Sequence, residues 1–419
     1  MAKTSIEMRT PPPPITACHD CGRVQQLPDL PVGSKAMCGR CRAVLFRKTP
    51  DTVQRTLALA VTGLILFAIA NVYPFLSMRL EGQIRETTLI TGIAGLYHQG
   101  MPGLSGLVLL TSVLVPLVQL MGLVYLLSPM VIGRLAGRSA GVFRALQRLR
   151  PWSMMEVFML GILVSMIKLA KMADIIPGVA LWAFAGLIVV LLAAFSGLNP
   201  DDIWRRIPLS PRARDEGVHG PVRAATCHSC TLMVQVPTRS PWGNARCPRC
   251  NARLHARKPN SIQRTWALVL TAIVFYAPAN LMPITFTRTV AREQADTIMS
   301  GVIYFMFSGS WHIALVIFVA SVLIPILKLV SLIYLLLSVQ FRSQWKPEDR
   351  TRLYRFTEAV GRWSMVDVYV VTVLVALVQL GPLGAIEAGP GAIYFAAVVV
   401  MTMLAAESFD ARLIWDKKD

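Results

Sequence analysis

Apolar residues in this chain gather in blocks of about 20, the length at which an α-helix crosses the hydrocarbon of a bilayer, and polar residues collect between the blocks. The first half carries four blocks, about Leu57 to Leu76, Leu104 to Leu127, Trp152 to Ala173 and Pro177 to Leu198, and the second half repeats them. This pattern predicts an all-α polytopic membrane protein with eight transmembrane helices in two parallel four-helix repeats. Asn71 and Asn280, each three residues before a proline, should close the first and fifth spans in a polar turn near the outer face. Pro116 and Pro325 lie inside the second and sixth blocks. Each frees the carbonyl four residues back, at Ser112 and Ser321, and should kink its helix.

The repeat is exact enough to align by eye. Cys18 matches Cys227, Gln54-Arg55-Thr56 matches Gln263-Arg264-Thr265, and Pro116 matches Pro325, all at an offset of 209 residues. After a two-residue insertion the offset is 211, pairing Trp152 with Trp363 and Ile203-Trp204 with Ile414-Trp415. So long a period is a domain duplication rather than a solenoid. The expected order is a cysteine module (1–50), a transmembrane repeat (51–200), a cytoplasmic linker (201–225), a second cysteine module (226–259) and a second transmembrane repeat (260–419).

Composition agrees with a membrane chain: 54% of residues are hydrophobic and 16% charged, and the mean hydropathy is +0.53. The net charge of +19 could suggest nucleic acid, but its placement points to membrane topology. The connector with Arg134, Arg138, Arg144, Arg148 and Arg150 contains no acid, which puts it on the cytoplasmic side by the positive-inside rule. Within it, Val142 to Arg150 has apolar residues at helical spacing opposite arginines and should lie along the headgroups. Four spans per repeat return the chain to its starting side. Both termini and both cysteine modules are therefore expected in the cytoplasm.

All eight cysteines form two quartets, Cys18, Cys21, Cys38, Cys41 and Cys227, Cys230, Cys247, Cys250. Each is a C-x2-C pair, sixteen residues, then a second C-x2-C pair. That spacing suits a structural four-cysteine zinc ribbon, with iron the lesser metal and paired disulfides the alternative in an oxidising compartment.

Polar residues also recur inside the spans. The first repeat has Gln119, Glu156 and Lys168; at matching positions the second has Lys328, Asp367 and Gln379. Buried charge in a span is costly and usually faces the bundle interior, either as a structural pair or as part of a transport path. Helix rise places Lys328 and Asp367 at comparable depth, so an ion pair between spans six and seven is expected. The phosphate loop, G-x-S-x-G and H-E-x-x-H motifs are absent, so no catalytic residues and no enzyme are expected.

These motifs together resemble the paraquat-inducible protein A family of Gram-negative inner-membrane proteins. The resemblance rests on both cysteine ribbons, Pro278-Ala279-Asn280-Leu281-Met282-Pro283, Asp296-Thr297-Ile298-Met299-Ser300-Gly301, Gly361-Arg362-Trp363-Ser364-Met365-Val366-Asp367 and the ending Phe409 to Asp416. It implies tetraspanin-like four-helix units and lipid movement between inner and outer membranes. It also implies a periplasm-spanning mammalian-cell-entry-domain partner and no nucleotide-binding domain. The competing readings are a proton-coupled carrier for a small amphiphile and a membrane sensor built on the zinc ribbons.

Overall fold

Among the described residues of the structure, a computed structural model, eight helices are long and apolar enough to cross a membrane: Val53–Val72, Pro102–Val131, Ser139–Ile167, Val179–Gly197, Ser261–Leu281, Ala314–Gln340, Pro347–Ala376 and Pro390–Ser408. We number these spans one to eight. The residues described are 15–28, 30–47, 52–80, 83–134, 137–169, 174–209, 222–237, 245–289, 292–307, 309, 311–377 and 384–416. They form two units. One holds 1–52 and 199–256, with both cysteine quartets; the other holds 53–198 and 257–419, with all the spans.

The first apolar block ends sooner than its composition suggests. Its helix stops at Val72 rather than Leu76, because Pro74 cannot continue it and Leu76 begins a strand. As expected, an asparagine closes the helix: the Asn71 amide donates to the Phe67 carbonyl (2.8 Å), and Asn280 donates to Tyr276 (2.9 Å) at the end of span five. The strands beyond were not foreseen. Leu76–Leu80 pairs antiparallel with Gln83–Thr87 on one side and Asp174–Pro177 on the other. Thr285–Thr289 pairs likewise with Arg292–Asp296 and Gly384–Ala388. Each repeat thus carries a three-stranded sheet linking its two far-side connectors. The alternation in Thr285-Phe286-Thr287-Arg288-Thr289 was the available signal.

Spans two and six change their winding just before the prolines expected to kink them. The turns before Pro116 and Pro325 widen to π-helix over Leu110–Leu114 and Val319–Leu323, with the Val115 and Ile324 N–H groups donating five residues back. A wide turn accommodates a ring that has no N–H to offer. Spans three and seven each begin as a surface helix, Ser139–Leu149 and Pro347–Val360, then make a 3-10 turn and continue as Met155–Leu169 and Val366–Leu377. Phe143 and Leu146, the apolar face of the first surface helix, are buried. A Cβ at Gly122 of span two would touch Leu146.

The two repeats meet where span three crosses span seven. Gly161 allows the approach, since a Cβ there would lie 2.8 Å from the Tyr369 Cβ. Phe158 and Tyr369 stack edge to face at 5.1 Å, and Phe75 and Phe184 extend the aromatic cluster. The buried Tyr369 hydroxyl donates to Thr111 Oγ1 (2.8 Å), so its polar end is satisfied. One apolar core runs through both repeats.

Candidate functional site

Each cysteine module is built from two tight knuckles. In the first, the Cys18 N–H donates to Arg23 O and Gly22 N–H donates to Cys18 O; Cys38 with Ala43 and Arg42 with Cys38 repeat the pattern. The second module does the same through Cys227, Thr231, Cys247 and Asn251. The residue after the second cysteine of every pair is left-handed: Gly22 (φ 69°), Arg42 (57°), Thr231 (55°) and Asn251 (57°). That conformation is unfavourable for a β-branched Thr231 and marks a turn held by its surroundings. Arg40 N–H points at Cys38 Sγ (3.5 Å). Burial opposes ionisation of Cys38, but the N–H groups of Cys41 and Arg40 outweigh it and hold the thiol down to about 6.

The eight cysteines are buried, free thiols. Within each quartet all four sulfurs lie within 4.8 Å of one another. The shortest separations are 3.4 Å for Cys18–Cys41, 3.6 Å for Cys21–Cys38, and 3.4 Å for both Cys227–Cys250 and Cys230–Cys247. These are too long for disulfides. They approach the roughly 3.8 Å edge of a tetrahedron with metal–sulfur bonds of about 2.3 Å. Both clusters can hold a metal ion. Between them in sequence, the helix Pro200–Arg206 is capped by Asn199, whose amide also donates to Arg47 O (2.6 Å), and Thr231 donates to Asp201 (3.2 Å).

Inside the membrane unit, the structure brings three of the six predicted polar residues to one cavity of about 560 Å³ between the repeats. Gln119, Glu156 and Lys328 line it, with Leu191, Phe195 and Met403 on its apolar side. Asp367 is half-buried at the start of its helix and does not line this cavity. Gln379 and the side chain of Lys168 lie outside the described residues.

The expected Lys328–Asp367 ion pair is not formed among the described residues. Lys328, 2% exposed, donates instead to Thr402 Oγ1 (2.8 Å) and Gly361 O (3.3 Å). Glycine at 361 explains the choice: a Cβ there would sit 3.1 Å from the ammonium, so its absence lets the lysine reach the backbone. Sequence reasoning missed Thr402. The signal was a hydroxyl exchanged for a hydrocarbon, since the matching residue is Leu191. The same exchange explains the other side. Gln119, matching Lys328, has Leu191 and Arg150 where Lys328 has Thr402 and Gly361, and among the described residues neither its amide nitrogen nor its oxygen has a partner although the residue is fully buried. A fully buried amide with both ends unmet is rare in proteins.

No solved structure matches the chain. Among curated proteins, intermembrane transport protein PqiA of Escherichia coli (strain K12) is 34% identical over 408 residues, 96% of this chain and 95% of its own. Lipophilic envelope-spanning tunnel protein A of the same organism is 32% identical over 400 residues, covering 95% and 90%. A probable intermembrane transport protein of Haemophilus influenzae is 31% identical over 420 residues, covering 99% and 98%. The family model for paraquat-inducible protein A matches twice, at residues 53–208 and 262–419, once on each transmembrane repeat. This eight-span duplicated chain belongs to the paraquat-inducible protein A family.

Proposed function

We propose that the chain is the inner-membrane component of an intermembrane lipid transport system and works without catalysing a covalent reaction. It would load lipids into, or receive them from, a periplasm-spanning mammalian-cell-entry-domain partner. The observation that carries this reading is the cavity between the repeats. Its volume lies in the usual range for ligand pockets, and it joins a polar end at Gln119 and Lys328 to an apolar wall, the two chemistries of an amphiphile. The names of the relatives, two of which are intermembrane transport proteins, support the same direction. Zinc suits the four-thiolate clusters, and the arginines of the connector before span three suit a cytoplasmic face, where thiols stay reduced.

The test is transfer of a fluorescent phospholipid from nanodiscs holding the purified chain to its periplasmic partner. Lys328→Met and Gln119→Leu should each lower the rate at least 10-fold while leaving the protein folded. Wild-type rates in both variants would remove the cavity from the transport path.

A further inference from the structure

The charges around the cavity are not of one sign. Its buried lining includes the Lys328 ammonium and the Gln119 amide, which has no partner among the described residues, both almost completely buried. Nearer the surface, Glu156, Glu358 and Glu407 line it, all exposed, together with Arg150 and Arg355. Among the described residues the lining carries three cations and three carboxylates. A site for a plain anion would gather cations and keep acids away, because each like charge within a few ångströms opposes the ligand. Its buried end holds a cation and an amide and no acid, and all three carboxylates lie at the more exposed end, in excess over the two arginines there.

The elements that set the mouth also define its level in the membrane. Glu156 opens the apolar helix of span three, Glu407 lies in the last turn of span eight, and Glu358 lies in the last turn of the surface helix that begins span seven. All three belong to the side on which spans four and eight finish. Lys328 and Gln119 sit further in, within spans six and two. A ligand satisfying both levels carries a phosphate toward the interior and an ammonium toward the water. Its hydrocarbon lies along Leu191, Leu192 and Phe195.

We propose that the cavity is a headgroup site for a zwitterionic phospholipid, taken from the leaflet on the side where spans four and eight end, with Lys328 and Gln119 on the phosphate and Glu156, Glu358 and Glu407 on the ammonium. Gln119 supplies its N–H to the phosphate, which gives this buried amide a hydrogen-bond partner. The carboxylates accept hydrogen bonds from a primary ammonium. This assignment rests on the lipid-transport reading for its biological use, but binding is measurable without transport.

The experiment uses the full chain in nanodiscs with equal parts of phosphatidylethanolamine and phosphatidylglycerol, with retained lipid quantified by native mass spectrometry. The wild type should retain phosphatidylethanolamine at least 5-fold over phosphatidylglycerol. The triple variant Glu156→Gln, Glu358→Gln, Glu407→Gln should lose that preference while still retaining lipid, and Lys328→Met should retain neither. Equal retention by the wild type, or a preference for phosphatidylglycerol, overturns the proposal; so does an unchanged preference in the triple variant. Because the triple variant alters exposed residues, a correct fold is confirmed by its melting temperature. If its fold is lost, Glu156→Gln alone must reduce the ratio at least 2-fold for the proposal to stand. Selective retention with no transfer to the partner would keep the site and remove the transport reading.

Discussion

At the scale of single residues, the matched positions of the two repeats act as an internal substitution experiment. Thr402 gives Lys328 an acceptor; Leu191 denies one to Gln119. Leaving a buried polar group unpaired costs about 1–3 kcal/mol. Gln119→Leu should therefore raise the melting temperature, or leave it unchanged, while lipid retention falls; a clear drop in melting temperature would show that the amide is structurally required. Thr402→Val should destabilise, because it strands a buried ammonium on the Gly361 carbonyl alone. A second residue-scale prediction concerns Asp410, next to span eight. Burial works against its ionisation, but Arg412, with bonds of 2.8 and 3.0 Å, and the Lys258 N–H (2.9 Å) outweigh it and hold the carboxyl down to about 2. The stabilisation, roughly 2 kcal/mol, is complete above the ordinary carboxylate range and is lost as pH falls from about 4 through 2. In Asp410→Asn this part of the acid sensitivity should disappear from a pH series of thermal melts.

Whole elements show where identical local sequence meets different surroundings. Thr88 with Thr91 and Thr297 with Ser300 cap the far-side helices Leu89–His98 and Ile298–Phe307 in the same way. The first helix packs against span seven, with the Gly92 Cβ position 3.2 Å from Ala376, and Gln99 bonds the edge of the Gly384–Ala388 strand through Ile386 O and the Ala388 N–H. Gly301, which matches Gly92, faces nothing within 4 Å among the described residues, and in the sequence Ser308 stands where the first repeat has Gln99. Gly92→Val should consequently cost about 1–3 kcal/mol by overpacking, while Gly301→Val should be nearly neutral. Equal effects in a thermal melt would contradict this packing difference. Glycines 178 and 389 are alike, by contrast: a Cβ at either would collide with a proline carbonyl, of Pro74 or Pro283, where the third strand turns into the last span of its repeat. The helices were legible because a run of apolar residues of bilayer length has few other solutions. The sheets were not, since short strands between spans carry a weak pattern and gain their stability from pairing across distant connectors.

For the molecule as a whole, the division into two units makes a prediction about the metal. The modules have small strands, Ile15–Ala17 with Val24–Gln26 and Val222–Thr226 with Met233–Pro237, and little apolar surface besides the cysteines. Such folds draw their stability from the ion. A strong chelator at neutral pH should melt the two cysteine modules, seen as rapid proteolysis between Cys18 and Cys41 and between Cys227 and Cys250, and leave the eight-span unit resistant. Cys227→Ser should expose the second module to proteolysis without chelator. Proteolysis spreading into the spans would show that the units are not independent.

The sequence by itself determined the eight spans, the duplication and the two cysteine quartets, because each depends on spacing along the chain: hydrocarbon length, a constant offset and C-x2-C pairs. It also named the polar residues that a membrane core must account for. Which of those residues meet was decided only by the tertiary structure. Lys328 turned to Thr402 and Gly361 rather than to Asp367, and Gln119 and Glu156 joined it across the repeats, because a side chain's partner depends on helix rotation and on the size of the residue facing it. A missing Cβ at Gly361 and a methylated carbon skeleton at Leu191 set those contacts. Neither leaves a trace in the periodicity of the chain.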